Sequence, residues 1–221
     1  MEGKMNALLK TAPEPDAMEY VEDYPIPQIK DDEVLLEIKA AGICGTDHSL
    51  YRWNQAIADS YHIQFPAIFC HEFSGVIAEV GKNAPENLKV GMHVTANPIL
   101  YDDTCEWCDR GMVNICDNRP FYGTDLPGAF AKYMAIRAIN VIPMPEEIPF
   151  TQAALMEPLC VAMNAVERLD PQIGDTAVVM GPGAIGLLMV ALLKQARGIR
   201  KVIVTGLEAD KKRFKVAEQL G

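Results

Sequence analysis

Two short polar segments hold the residue types most able to do chemistry. Gly42-Ile43-Cys44-Gly45-Thr46-Asp47-His48 places a thiol, a hydroxyl, a carboxylate and an imidazole between Cys44 and His48. Phe69-Cys70-His71-Glu72-Phe73-Ser74-Gly75 sets an imidazole beside a carboxylate, flanked by aromatic residues. Cys44, His71 and Glu72 together offer a soft thiolate, an imidazole and a carboxylate, a set that suits zinc and leaves one coordination position open for a reacting molecule. A third group, Cys105-x2-Cys108-x7-Cys116, supplies three thiols, and one more step of the same spacing reaches back to Asp102. Asp102, Cys105, Cys108 and Cys116 would close a tetrahedral set with no vacancy, the pattern of structural zinc. Asp103 is the alternative carboxylate.

Gly181-Pro182-Gly183-Ala184-Ile185-Gly186 lies between an apolar strand pattern at 176–180 and an apolar helix pattern at 184–195. In that setting the spacing points to a dinucleotide. Gly181 permits the turn, Gly183 lets backbone approach a pyrophosphate, Gly186 lets helix and strand pack closely, and Ala184 and Ile185 open the helix whose amino end faces the negative charge. The next strand pattern, 201–205, should end on an acid if the cofactor is NAD, because a carboxylate there binds the ribose 2′-hydroxyl. Gly206 stands at that position, Glu208 follows, and then come Lys211, Lys212 and Arg213. NAD or NADP is therefore expected, with a slight lean to NADP.

These residues need elements to hold them. The pattern up to about residue 141 is one of short apolar runs broken by Pro, Gly and Asp, with strands expected at 6–9, 34–40, 75–80, 93–96 and 131–136. Three prolines between 143 and 149 interrupt it, and the apolar period then lengthens from two to nearly four. This divides the chain into a β-rich domain at 1–150 and a second domain at 151–221. In the latter, Thr151 should cap a helix, Pro158 should restart or kink it, and a strand-helix-strand-helix series should follow, the α/β pattern of a parallel sheet covered by helices. Two strands do not complete such a sheet, so the chain reads as a piece of a longer protein. A net charge of −10 argues against nucleic acid or an anionic membrane as partner and favours a small molecule. No run is long enough to span a membrane and the amino terminus lacks a signal-peptide pattern, so a cytoplasmic protein is expected, with six cysteines serving metals rather than disulfides.

Taken together, the Cys-Gly-Thr-Asp loop, the Cys70-His71-Glu72-Phe73-Ser74-Gly75 segment, the cysteine lobe, Gly128-Ala129-Phe130-Ala131, Glu157-Pro158-Leu159 and the glycine loop resemble, in order, the zinc-dependent medium-chain alcohol dehydrogenases, most closely their polyol and threonine dehydrogenase branch. The resemblance implies a GroES-like catalytic domain followed by the start of a Rossmann domain. It also implies hydride transfer from a polyol or other secondary alcohol to NAD(P), a catalytic and a structural zinc, and a homodimer or homotetramer. It makes Cys44 and His71 ligands of the catalytic zinc and Glu72 a ligand or close neighbour. Glu157 stands where the alcohol-specific branch has a second cysteine; the resemblance makes it a further ligand of the catalytic zinc, bound directly or through water as in the polyol branch, which favours a polyol over ethanol. Thr46 would take the substrate proton and His48 would pass it on. Three positions depart from the family pattern: Cys70 replaces a glycine, Asp102 replaces the first cysteine of the lobe, and His48 stands one residue nearer Cys44 than the relay histidine often does. Tyr51, Trp53 and Phe121 are expected near the substrate, His62 and His93 to be ordinary histidines, and Cys160 a small buried residue. Two other readings remain, a zinc-free quinone or enone reductase of the same fold and a non-catalytic zinc-binding protein.

Overall fold

The apolar run Val34, Leu35 and Leu36 is fully buried, which requires a strand covered on both faces. The computed structural model of the chain, which describes residues 3–221, shows how this is done. The chain forms two units, dividing between Leu155 and Met156. The first unit begins with an antiparallel ribbon of β1 (Lys4–Lys10) and β2 (Met18–Pro25). Next come β3 (Glu33–Ala41), helices α1 (Gly45–Tyr51) and α2 (Gln55–Ala58), and β4 (Phe73–Val80). After them follow β5 (His93–Ala96), α3 (Glu106–Asp109), β6 (Tyr133–Arg137), β7 (Val141–Pro143) and α4 (Phe150–Ala153). An antiparallel sheet of order β6-β3-β4-β5-β7 puts β3 inside. Val34 and Leu36 face the main core with Phe73, Ile77, Val94, Met134 and Ile136, while Leu35 faces a second cluster with Met5 and Ile26.

The ladder between β3 and β4 positions the polar segments. It ends with Ala41 opposite Phe73, so the chain leaving β3 and the chain entering β4 start from neighbouring points. Cys44 follows the first of these and His71 and Glu72 precede the second. Lys10, fully buried, fixes the far end of α1: its Nζ donates to the carbonyls of Glu14, at 2.6 Å, and Tyr51, at 2.9 Å.

The second unit contains α5 (Met156–Leu169), β8 (Thr176–Met180), α6 (Ala184–Ala191, continued by a wider turn through Ala196), β9 (Lys201–Thr205) and α7 (Lys211–Leu220). β8 and β9 are parallel, with Thr176 opposite Lys201 and Met180 opposite Thr205. Val166, Ala177, Val179, Val190, Leu193 and Ile199 form its core. No helix of the described residues is long and apolar enough to cross a membrane.

Local details differ from the sequence expectation. The helix expected after Thr151 begins at Phe150 with Pro149 at its cap position, and its packing on β3 and β4 places it in the first unit. Pro158 marks a restart, as one of the two expected outcomes had it: α4 ends at Ala153 and α5 begins at Met156 with Pro158 in its first turn, where a missing N–H costs no helix bond. Cys160 is exposed, because α5 buries Pro158, Ala162 and Val166 at a spacing of one turn and position 160 falls on the other side.

Both tryptophans, Trp53 and Trp107, belong to the first unit, so their fluorescence reports its unfolding alone. Leu36→Ala should lower the stability of this unit by about 2–5 kcal/mol in urea titrations, as expected for a void opened in a fully buried position.

Candidate metal centre and dinucleotide loop

Cys44 is the cap residue of α1, so the tight turn expected from its glycines is the start of a helix. Its backbone N–H donates to Asp47 Oδ2 at 2.8 Å, an acid three residues into a helix closing the cap. The other oxygen of the same carboxylate, Oδ1, accepts from the Cys70 N–H at 3.1 Å. Asp47 is only 4% exposed, so one buried side chain ties the Cys44 segment to the His71 segment. A second tie is made by backbone, as the Gly42 N–H donates to the Glu72 carbonyl at 2.7 Å. The Glu72 side chain lies over Gly42 so closely that a Cβ there would collide with its carboxylate. Glycine lets the Glu72 carboxylate take this position, from which a side chain at 42 would displace it.

The result is a donor set. One ligand atom each from Cys44, His71 and Glu72 falls within 4.8 Å of the others. His71 is buried, its Nδ1 has no hydrogen-bond partner among the described residues, and loss of hydration lowers its pKa to about 4. It is therefore the neutral imidazole that a metal binds. Burial also raises the Cys44 thiol and the Glu72 carboxyl above their usual ranges, the response of groups that lack a cation to pair with. A soft donor, a neutral imidazole and a carboxylate, all short of countercharge, fit zinc. Thr46 Oγ1 stands 3.7 Å from Cys44 Sγ. His48 is on α1 and exposed. Glu157 lies in the first turn of α5, in the second unit.

A second donor set consists of Asp102, Cys105, Cys108 and Cys116, again within 4.8 Å. Cys105 caps α3, with its Sγ 3.6 Å from that of Cys108, and Cys116 Sγ donates to Asp102 Oδ1 at 3.4 Å. Asp102, rather than Asp103, is the carboxylate that joins the thiols.

Of the three aromatic residues expected near a substrate, Phe121 is the one set against the donors, its ring 4.9 Å from that of His71. A cavity of about 730 Å³ beside it is lined by Tyr61, His62, Gln64, Arg119 and Asp125 as well as Phe121. Trp53 instead packs on Phe65, and the Tyr51 carbonyl holds Lys10. His93 packs against Phe150, ring centroids 4.5 Å apart and the planes tilted by 42°. The role of Asp47 escaped the sequence reading, although an acid three positions after a candidate cap was a usable signal. Tyr61 left no such signal.

In the second unit Gly181 has φ +98° and donates its N–H to Thr205 at 2.8 Å, turning the chain from β8 into α6. A Cβ on Gly186 would strike the Gly181 carbonyl, whereas one on Gly183 would meet open space. The cap position of α6, Gly183, carries no side chain to satisfy the amides of Ala184 and Ile185, and the loop fits a bound phosphate group. Gly206 follows β9 and is crowded by Pro182, Phe214 and Asp210. Lys211 pairs with Glu208 and Arg213 with Asp210, each at 2.9 Å.

Comparison with known proteins identifies the family. The model of the alcohol dehydrogenase GroES-like domain matches residues 30–146, more than half of the chain. The chain belongs to this family. L-Threonine 3-dehydrogenase of Bacillus velezensis is 35% identical over the whole chain, and sorbitol dehydrogenase of Bacillus subtilis is 37% identical over 91% of it. The chain spans 61% of the first protein and 56% of the second. The structure of a zinc-binding dehydrogenase from Sinorhizobium meliloti 1021 bound to NADP superposes with a TM-score of 0.86 at 28% identity, covering 98% of this chain and 60% of that one. The GroES-like domain thus includes both donor sets, and a parallel α/β unit follows it.

The two buried titrating groups of the first donor region oppose each other. Burial pushes Asp47 up to about 6, so the folded chain takes up its proton before the unfolded chain does, and this contribution to stability is lost as pH rises through 6. His71, held at about 4, resists protonation, so its contribution is lost as pH falls from 6.5 toward 4. Each shift corresponds to about 3 kcal/mol and the two nearly offset. In excess chelator, Asp47→Asn should therefore lose about 3 kcal/mol more than the parent between pH 6.5 and pH 4, read by urea unfolding of the tryptophan signal.

Proposed function

We propose that this chain forms the metal centre and cofactor loop of a zinc-dependent oxidoreductase that moves a hydride from a polyol or other secondary alcohol to NAD or NADP. The observation that carries this reading is the gathering of Cys44, His71 and Glu72 within 4.8 Å, with a hydroxyl, Thr46 Oγ1, beside the thiol. Three protein donors leave a position for substrate, whereas the four of the cysteine lobe do not. Zinc held by Cys44, His71 and Glu72 would supply Lewis-acid polarisation of the substrate hydroxyl, and a nicotinamide would supply the hydride acceptor.

The chain's own residues do the rest. His71 is already neutral and needs to lose no proton to bind metal, while Cys44 must release one. Thr46 would accept the substrate proton at Oγ1 as it gives up its own toward solvent, and His48, exposed two positions further along the same helix, would be the last carrier before water rather than a direct partner of Thr46. Asp47 keeps Thr46 in place by closing the helix on both sides of it. The ring of Phe121 covers one side of His71 and limits access of water.

The substrate class is supported from two directions. Glu157, in place of a second cysteine, favours a polyol over a simple primary alcohol, and the two relatives are named for L-threonine and sorbitol, both of which carry a secondary hydroxyl. For the cofactor, the exposed Lys211–Glu208 pair is worth less than about 1 kcal/mol, so Lys211 can turn to a 2′-phosphate at little cost. This favours NADP.

The test is reduction of NAD or NADP, followed by absorbance, with the full-length protein offered polyols, L-threonine and simple secondary alcohols. Turnover with at least one pair is expected, falling by about 100-fold or more in Cys44→Ser. A folded, zinc-loaded protein inactive with every pair would sink the reading.

A further inference from the structure

Cys70 stands in a backbone conformation that its side chain should avoid. Its φ is +86°, in the left-handed region that favours glycine, and the residue is completely buried. All of its polar atoms are used. The N–H donates to Asp47 Oδ1 at 3.1 Å, the carbonyl accepts from the Ala129 N–H at 3.0 Å, and Sγ lies 3.4 Å from both the Gly42 and the Glu72 carbonyls. A thiol is a weak donor, and both carbonyls lie within its reach. Its sulfur is not among the gathered donor atoms.

We infer that Cys70 is a positioning residue whose thiol latches the Gly42–Cys44 segment to the His71–Glu72 segment and so sets the spacing of the three donors. Gly42 and Glu72 already share one backbone bond, from the Gly42 N–H to the Glu72 carbonyl. Asp47 adds a side-chain tie between the Cys44 and Cys70 N–H groups. Neither tie reaches the Gly42 carbonyl, and the Cys70 proton, shared between the Gly42 and Glu72 carbonyls, adds a third link there. That third link fixes the orientation of the peptide that leads from Gly42 toward Cys44. A residue that served packing alone would be better replaced by glycine, which adopts this φ without strain. The cost of a side chain here is matched by what its sulfur reaches.

This inference rests on the metal reading above, and its test keeps the two separate. The Co²⁺ affinity of the full-length protein would be measured by chelator competition, counting as this centre the cobalt that is lost in Cys44→Ser. Cys70→Gly relieves the backbone and removes the latch. Cys70→Ala removes the latch and keeps the strain. Expected is a thermal midpoint for Cys70→Gly at or above that of the parent, together with Co²⁺ held about 10-fold more weakly and a shifted thiolate-to-cobalt absorption band. Cys70→Ala should weaken Co²⁺ to the same extent with a lower midpoint. Parent-like affinity and an unchanged band in both variants would overturn the latch while leaving the metal centre standing. If the parent takes up no Co²⁺ that depends on Cys44, the metal reading fails and the latch falls with it.

Discussion

The antiparallel ladder between β3 and β4 is the constraint on which the rest of the first unit depends. A ladder in register brings the exit of one strand and the entrance of the other to one edge, whatever the chain does in between. Here that edge carries Cys44 on one side and His71 and Glu72 on the other. The buried faces of the same strands, through Leu36, Phe73 and Ile77, supply the apolar contacts that hold the register. The positions of the donors are thus a consequence of core packing. A strand slip by one residue would turn the apolar side chains outward and separate the donors together.

Bringing donors together is costly before a cation arrives. Asp47, Glu72 and the Cys44 thiol all gather in a part of the molecule with little water, and each has its proton affinity raised by that loss of hydration. The fold tolerates this because Asp47 receives two backbone N–H groups and His71 stays neutral. A divalent cation would resolve the remaining imbalance.

Much of this was legible in the sequence because the chemistry is local. Cys44 and Thr46 are two positions apart, His71 and Glu72 are adjacent, and Gly181, Gly183 and Gly186 mark their own loop, so residue type and spacing were enough. The strands at 34–40, 75–80 and 93–96 were legible from alternation and flanking turns. What was missed depends on contacts far apart in the chain. The β2 strand has mostly exposed residues and pairs with β1, so it shows no buried stripe. The bond from Cys70 to Asp47 exists only when the sheet is formed, and the exposure of Cys160 follows from which side of α5 packs, something the composition of the helix does not reveal.

The two donor sets differ in how their parts are strung along the chain. The lobe draws every donor from the stretch between Asp102 and Cys116, with Cys105 capping α3 and Cys108 within it. Closing so short a loop costs little chain entropy, and a metal ion can organise it before any sheet exists. The set containing Cys44 has no such shortcut, since its members meet only after β3 and β4 have paired. A metal bound by the lobe could therefore act before the sheet forms, whereas one bound by the Cys44 set would have to wait for the paired strands.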